Sequence, residues 1–251
     1  MEIERQRPAT LPKASDVLAD ELRARILGDG MQPGEVLPSE AKLMEDYGFS
    51  RGTVRETLRL LEADDLIVIK RGPKGGIRVR HPDVRQVSRS LGLLFSAQGT
   101  TLGDLFTFRK LVEPEAAAEA ARTATAEQKN WLASIAPHHQ GVQPGFHQSA
   151  EFHGAIGRCS NNGVFEVMLT ALHDALEWQS SDEKLSHDDI EATRRAHVSI
   201  AKAIVEGNAD VAARRMRRHL EQFERVLAGQ GRLDEPIVPR ARWRRKPPNQ
   251  F

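Results

Sequence analysis

The chain of 251 residues contains a single cysteine, Cys159, so no disulfide can form within it. It also contains no run of about 18 apolar residues, which a membrane-spanning helix requires. The first ten residues, MEIERQRPAT, lack the apolar segment of a secretory signal. The chain also has almost no excess of one charge, because its 36 Lys and Arg residues are balanced by 35 Asp and Glu residues. These absences predict a soluble, cytoplasmic protein with no membrane partner, built as one large domain or two small ones.

The segment 34–62 has the pattern of two short helices in succession. Ser39 can cap the first helix, Tyr47-Gly48-Phe49 ends it, and Ser50 can cap the second. In the second helix apolar residues recur at i, i+4 and i+7, which predicts one buried face. The residues of that face are Val54, Leu58 and Leu61.

An arginine row, Arg51, Arg55 and Arg59, lies beside this apolar face. Guanidinium groups can pair bidentately with guanine edges, and Ser50 and Thr53 lie in the first turn, where recognition helices contact bases or phosphates. The row therefore suggests a helix that reads DNA. By its spacing alone, however, such a row is more often a solvated face that binds nothing.

The residues after this helix have the composition of a β-hairpin. A β-branched run at 66–69 and an alternating run at 77–80 flank a turn that contains Pro73, Gly75 and Gly76. An edge hairpin protected by charge is the alternative to a DNA-binding wing. An amphipathic helix over 17–27 precedes these elements, and the whole order predicts a winged helix-turn-helix. Five basic residues and no acid occur in the hairpin: Lys70, Arg71, Lys74, Arg78 and Arg80.

Residues 14–81 resemble the DNA-binding domain of the GntR superfamily of bacterial regulators. The resemblance rests on Leu37-Pro38-Ser39-Glu40 and on Ser50-Arg51-x-Thr53-Val54-Arg55-Glu56-x-Leu58, followed by a glycine-containing wing. It implies that Ser50, Arg51, Thr53 and Arg55 contact the operator, with Arg71 and Gly72 near the minor groove.

One position departs from that family pattern. Relatives place a DNA-contacting arginine directly after the Leu-Pro-Ser-Glu segment, where this chain has Ala41. Lys42 follows, but one residue corresponds to a rotation of about 100° around a helix. The predicted DNA-binding residues are Ser39, Lys42, Ser50, Arg51, Thr53, Arg55, Arg59, Lys70, Arg71 and Gly72.

From Val84 the pattern becomes almost entirely helical. Pro114 falls inside the second predicted helix, which predicts a kink or a one-turn break there. The predicted domains are a disordered arm at 1–13, the winged helix-turn-helix at 14–82, a helical effector-binding and dimerisation domain at 84–230, and a basic, proline-rich disordered tail at 231–251. The predicted helices are about 84–97, 102–122, 126–136, 147–160, 164–180, 189–206 and 209–228.

Three histidines in these helices, His153, His197 and His219, have apolar neighbours and are therefore expected to face the bundle interior. Imidazole is the commonest side-chain ligand for Zn²⁺ and Ni²⁺, so three converging rings could bind one ion. Spacing alone also fits histidines that are merely surface residues or polar core residues.

Residues 102–228 resemble the FadR-type C-terminal ligand domain, FCD, which is an antiparallel helical bundle. The resemblance rests on Arg109-x-x-x-Glu113, Phe152-His153 with Asn162, His197-x-x-Ile200 and Met216-x-x-His219. It implies a divalent metal, Zn²⁺ or Ni²⁺, on the three histidines. The Asp that metal-binding relatives carry four residues before the first histidine is Ser149 here.

The resemblance also implies an effector site that includes Arg109, Glu113 and Asn162. A guanidinium and a carboxylate pair as a two-pronged fork, so a small carboxylate is the expected effector, with an acyl thioester as the second possibility. The alternative for Arg109 and Glu113 is an exposed i, i+4 ion pair.

Taken together, these features predict a mainly α protein: an N-terminal winged helix-turn-helix joined to an antiparallel all-α bundle. The predicted function is that of a ligand-responsive regulator, more often a repressor in this superfamily, which binds an inverted-repeat double-stranded operator as a homodimer and is not an enzyme. The alternative is a metal-dependent hydrolytic enzyme that uses the three histidines. That alternative lacks a general base, because Glu151 lies about 200° around the helix from His153.

Overall fold

The structure is a computed structural model that describes residues 12–72, 75–137, 146–176 and 186–239, with the backbone alone over 146–150. It divides the chain into two compact units, residues 1–83 and 84–251. Most of the predicted arm 1–13, two residues of the predicted wing turn, the Ser149 side chain and the basic segment 240–246 lie outside the described residues. Every helix in the described part of the chain is too short or too polar to span a membrane.

The first unit is a winged helix-turn-helix, as the sequence predicted. Its strands are antiparallel, with Ile67 opposite Val79. An isolated bridge adds Val36 beside the second strand. The elements are α1 (Ala14–Arg23), which continues as one π-helical turn (Ala24–Gly28), then α2 (Glu40–Tyr47), α3 (Arg51–Ala63), β1 (Ile67–Lys70) and β2 (Gly76–Val79).

Local hydrogen bonds explain where α2 and α3 begin. The Ser39 hydroxyl accepts a hydrogen bond from the Lys42 amide, and the Ser50 hydroxyl accepts one from the Thr53 amide, each over 3.2 Å. Gly48, with a φ of +68°, ends α2 in the left-handed conformation that favours glycine. The predicted caps and the predicted break are therefore confirmed.

The apolar faces of α1 and α3 meet in the core of this unit. The hydroxyl of the buried Thr57 donates to the carbonyl of Ser15 over 3.0 Å and ties the two helices together. Arg23 extends this connection by donating from Nε and Nη2 to Asp64 at the end of α3, over 2.8 and 2.6 Å. Fixing α3 in this way leaves the exposed face beside its apolar residues to present the arginine row.

The described part of the second unit is built mainly from helices, as predicted. Helix α5 packs against α10, and α7 packs against α8. Capping boxes at Thr101, Thr125 and Ser186 begin three of the helices. The helices are α4 (Val84–Gln98), α5 (Leu102–Thr123), α6 (Ala126–Ile135), α7 (Phe146–Cys159), α8 (Gly163–Leu176), α9 (His187–Val205) and α10 (Ala209–Gly229).

Helix α5 runs through Pro114 without interruption, so the predicted one-turn break is wrong. Proline has no amide hydrogen, and the carbonyl four residues earlier, on Lys110, therefore loses its helical donor. Arg217 on α10 donates to that carbonyl over 3.4 Å. The neighbouring helix thus replaces the hydrogen bond that the proline removes.

The predicted disordered tail is wrong for its first residues. Residues 232–239, which we call the C-terminal strap, run beside the start of α5, where Leu102 and Gly103 donate to the carbonyls of Glu235 and Leu233. Ile237 and Val238 are 1% and 0% exposed and belong to the bundle core. The sequence analysis did not predict the strap, because two apolar residues between prolines are too few to show the periodicity of a helix or a strand.

Candidate functional site

The arginine row of α3 is exposed, as a DNA-reading surface requires. The Arg55 guanidinium lies 3.7 Å from Glu40, and the Arg59 guanidinium lies 3.3 Å from Glu56, with side chains 65% and 77% exposed. Exposed ion pairs of this kind contribute little to stability. These arginines can therefore exchange their carboxylate partners for phosphates or base edges at small cost.

Ser50 and Thr53, whose side chains are predicted to contact DNA, also interact with each other at the N-terminus of α3. Ser50 accepts the Thr53 amide, and the two hydroxyls lie 3.0 Å apart. A hydroxyl that accepts a capping hydrogen bond retains its own proton to donate, so capping is compatible with phosphate contact. Lys42 lies 2.8 Å from Asp46 and 3.2 Å from Glu45 on its own helix. Both ion pairs are exposed, so Lys42, like Arg55 and Arg59, can exchange its carboxylate partners for a phosphate, and its contact with DNA stays a prediction.

The basic residues of the wing serve two different purposes. Arg78 donates to the carbonyl of Gly34 over 2.9 Å, and Arg80 pairs with Asp65 over 2.7 Å, so both hold the hairpin against its own unit. Lys70 and Arg71 are exposed at the end of β1. Gly72 follows with a φ of +106°, a conformation available mainly to glycine. The exposed positive charge of the described wing is thus concentrated near its tip.

In the second unit, the structure brings the three predicted histidines together. His153 on α7, His197 on α9 and His219 on α10 are 1%, 0% and 6% exposed. The Nε2 atom of His219 lies 3.1 Å from Nε2 of His197 and 3.3 Å from Nε2 of His153. We call these three side chains the histidine cluster.

The donor geometry of the histidine cluster suits a divalent metal. For Zn–N bonds of about 2.0–2.1 Å in a tetrahedral site, neighbouring nitrogens should lie about 3.3 Å apart. The two measured separations are close to this value, and ligand atoms of all three residues lie within 4.8 Å of one another. The ring of Phe152 stacks on His197 with centroids 4.2 Å apart and fixes one of the three imidazoles.

Glu113 forms the polar centre beside the histidine cluster. Its carboxylate accepts hydrogen bonds from Arg109 Nε and from His153 Nδ1, each over 2.5 Å. Both members of the Arg109–Glu113 pair are buried, at 5% and 0% exposure. The alternative considered from the sequence, an exposed i, i+4 ion pair, is therefore wrong. The sequence could not show this, because spacing places the two residues on one face but does not say which face. Arg109 also lies over the ring of Phe106, 4.9 Å from its centroid.

The charges of this region follow from burial and pairing. Burial raises the pKa of Glu113, but Arg109 and His153 outweigh it and hold that pKa well below its usual range. Burial lowers the pKa of His153, although Glu113 opposes the shift. The histidine is therefore neutral near pH 7, with the proton on Nδ1 and a lone pair on Nε2, as metal binding requires.

His173 on α8 is a fourth buried histidine that the sequence analysis missed. It is 3% exposed, its ring stacks on that of His153 at 4.8 Å, and its Nε2 lies 3.4 Å from Glu113 without hydrogen-bond geometry. Burial lowers its pKa to about 3. Its apolar neighbours in TALHDAL were the same signal that identified the other three.

Two other predicted site residues have a different placement. Asn162 is exposed at the start of α8, where its side-chain oxygen accepts from the amides of Val164 and Phe165. It caps a helix and is not part of the histidine cluster, and its contact with an effector stays a prediction. Ser149 lies on α7 one turn before His153, and its side chain falls outside the described residues.

Comparison with known families accounts for both units. The family model described as bacterial regulatory proteins, gntR family, matches residues 14–79, and the model of the FCD domain matches residues 104–222. Together they span both the arginine row of α3 and the histidine cluster.

Individual relatives give the same assignment. The HTH-type transcriptional repressor NanR of Enterobacter sp. (strain 638) is 29% identical over 227 residues, which are 86% of each chain. The Glc operon transcriptional activator of Escherichia coli (strain K12) is 29% identical over 232 residues, covering 84% of this chain and 88% of that protein.

A solved structure supports the fold. The GntR structure from Streptococcus agalactiae superposes with a TM-score of 0.69 at 24% identity, covering 84% of this chain and 99% of that one. The matched families and relatives are regulators of transcription rather than enzymes. With a GntR DNA-binding domain followed by an FCD domain, the chain belongs to the GntR family of bacterial transcription regulators.

Proposed function

We propose that this regulator binds an inverted-repeat operator as a homodimer and represses transcription until a small carboxylate effector binds in its helical bundle. The observation that carries the proposal is the convergence of three histidine Nε2 atoms beside the buried Arg109–Glu113 pair. A site of this kind, in a chain that also has an exposed arginine row on a capped helix, fits a sensor that controls DNA binding.

The contacts with DNA follow from the exposed groups. Arg51 and Arg55 would reach base edges or phosphates in the major groove, and Lys70, Arg71 and Gly72 would approach the neighbouring minor groove. Ser39, Ser50, Thr53 and Arg59 would add backbone contacts that fix the register. With Ala41 at the usual arginine position, operator affinity depends more strongly on α3 and the wing.

In the bundle, the histidine cluster would hold a divalent metal, Zn²⁺ or Ni²⁺. Such an ion supplies open coordination positions that attract a carboxylate. Glu113 keeps the His153 lone pair directed at the cluster and holds the Arg109 guanidinium nearby. Arg109 then offers its remaining N–H donors to an effector carboxylate, as a planar fork that orients the bound acid.

Repression is supported by the relatives named NanR repressors, whereas an equally similar relative is named an activator. A reporter gene under the operator distinguishes the two directions. Repression predicts a higher reporter signal when the regulator is deleted, and activation predicts a lower one.

The operator proposal is tested by selection from random double-stranded DNA with the full-length protein. Recovery of an inverted repeat, with half-sites about one helical turn apart, is the expected result. Equal binding to selected and random DNA would overturn it. Sedimentation of the free protein measures whether it is a dimer.

The effector proposal is tested by a thermal-shift screen of carboxylates and acyl thioesters, with and without Zn²⁺ or Ni²⁺. A carboxylate should raise the melting temperature more in the metal-loaded protein, and it should change operator affinity. Stabilisation by acyl thioesters alone, independent of metal, would replace the carboxylate proposal.

A further inference from the structure

An open cleft lies between α9 and α10, on the outer side of the histidine cluster. Its volume is about 490 Å³, and its lining is basic and otherwise formed by small or neutral residues. The lining residues are Ala192, Arg195, Ala196, Ser199, Arg215, Arg218, His219 and Gln222.

We propose that this α9–α10 cleft is an anion subsite. It would bind the second acidic group, a phosphate or a second carboxylate, of an effector whose first carboxylate lies at the histidine cluster. The proposal rests on the proposed effector-sensing function and adds to it the chemical class of the effector, a small molecule with two acidic groups.

The charge of the cleft favours an anion. Arg195, Arg215 and Arg218 all line it, and no carboxylate does. Among the described residues, none of the three lies within 4.0 Å of an acidic group in an ion pair, whereas Arg194 pairs with Glu191 on the same helix. Three guanidinium groups around one cavity repel one another, and a bound dianion would remove that repulsion.

The helical spacing explains how the cleft is formed. On α10, Arg215, Arg218 and Gln222 follow one another at i, i+3 and i+7, so they share one face. On α9, Ala192, Ala196 and Ser199 occupy the facing stripe, and their small side chains leave the space open. Arg215 donates to the Ser199 carbonyl over 2.5 Å, which bridges the two helices and fixes one guanidinium.

His219 connects the cleft with the histidine cluster. It lines the cleft, and its Nε2 lies 3.1 and 3.3 Å from the other two cluster nitrogens. His219 therefore belongs to both the cleft and the histidine cluster. One extended molecule could contact both sites.

The lining favours a small anion over a nucleic acid. A single-stranded nucleic acid is bound by basic grooves that also offer aromatic side chains for base stacking. The described lining of this cleft contains no Phe, Tyr or Trp. Guanidinium groups that line the same cleft match the several oxygens of a phosphate or a carboxylate.

The experiment is calorimetric titration of the full-length, metal-loaded protein, without DNA, at about 150 mM salt, where exposed long-range attraction is screened. The probes are inorganic phosphate, succinate and acetate. Phosphate or succinate should bind, and the double variant Arg195→Gln/Arg218→Gln should weaken that binding by at least about tenfold, as expected for lost charge-assisted hydrogen bonds. Acetate, with a single carboxylate, should bind this variant and the unchanged protein equally.

The matched control is Arg214→Gln, which removes an exposed arginine of α10 that does not line the cleft. It should change phosphate and succinate affinity by less than about twofold, because Arg214 does not line the cleft and salt weakens the attraction of an exposed charge that makes no direct contact. Equal loss in the control, or unchanged binding in the double variant, would overturn the subsite. Operator binding is measured on the same preparations. Intact operator binding without any dianion binding would overturn this subsite alone and leave the proposed regulator standing.

Discussion

The Nδ1 atom of His153 donates a hydrogen bond to the carboxylate of Glu113, and both side chains are buried. An ionised carboxylate can only accept hydrogen bonds, so the proton of the neutral imidazole lies on Nδ1. The Nε2 lone pair then faces His219, 3.3 Å away. A carboxylate that fixes the tautomer of a histidine in this way is a common partner of metal ligands.

Replacing Glu113 should therefore affect both stability and metal binding. Glu113→Gln leaves the buried Arg109 charge without its carboxylate, which should cost about 3–5 kcal/mol. Loss of the His153 partner should weaken metal binding by roughly 10–100-fold. Chemical denaturation and metal titration measure the two effects.

The control for that variant is Glu115→Gln, two residues further along α5. Glu115 is exposed and lies 3.3 Å from the partly exposed Arg122, so its loss should matter little. Equal stability of Glu113→Gln and the unchanged protein would contradict the role of Glu113 as the buried counter-charge.

The histidine cluster should respond to loss of one member. His197→Ala should abolish most of the rise in melting temperature that Zn²⁺ or Ni²⁺ produces, because stabilisation by a ligand depends on its affinity for the folded state. His187→Ala, which removes an exposed histidine of the same helix, should leave that rise intact. If added metal stabilises neither the unchanged protein nor either variant, the metal proposal is wrong.

His173 should make the bundle sensitive to acid. Burial lowers its pKa to about 3 in the folded chain, against an ordinary value of 6.5. Between these values the unfolded chain binds the additional proton, so the stability contribution is present above pH 6.5 and is lost as the pH falls. His173→Phe should therefore make the melting temperature fall less steeply between pH 7 and about 5.

The measurement is made with a chelator, so that competition between protons and metal does not contribute. His187→Phe is the matched control, since it replaces an exposed histidine with the same residue. An unchanged slope for His173→Phe would show that His173 does not titrate in this way.

Periodicity and capping residues were sufficient to predict most of the secondary structure. Ser39, Gly48 and Ser50 act within a few residues of themselves, so their effects can be predicted from local sequence. Pro114 shows the limit of such prediction. Its local rule predicted a kink or a one-turn break; the helix is not interrupted, and Arg217, about a hundred residues away in the chain, supplies a donor for the carbonyl that the proline leaves unpaired.

The candidate site was predictable in its residue types but not in its pairings. The apolar neighbours of His153, His197 and His219 indicated burial, and the structure brings the three together. Which partners Glu113 contacts, and that His173 joins them, depends on how α5, α7 and α8 pack. No short-range pattern specifies that packing, and the same is true of the C-terminal strap.

The arginine row of α3 should determine operator recognition. Arg51→Ala or Arg55→Ala should weaken binding to the selected operator by about 1–3 kcal/mol while the bundle remains folded. Arg122→Ala, which removes a partly exposed arginine of α5, is the control and should leave operator affinity unchanged. Band-shift titrations on operator and random DNA measure the effect. Equal affinity of all three variants would exclude α3 as the recognition helix.

The C-terminal strap should contribute to the stability of the bundle, although the sequence predicted a disordered tail. Ile237 is 1% exposed, and its amide donates to the Thr100 carbonyl over 2.9 Å. Ile237→Ala removes buried methyl groups and should cost about 2–5 kcal/mol, seen as a lower melting temperature. Leu111→Ala, at a position 70% exposed on α5, should have little effect. If both variants have the same melting temperature as the unchanged protein, the strap does not pack on the bundle in solution.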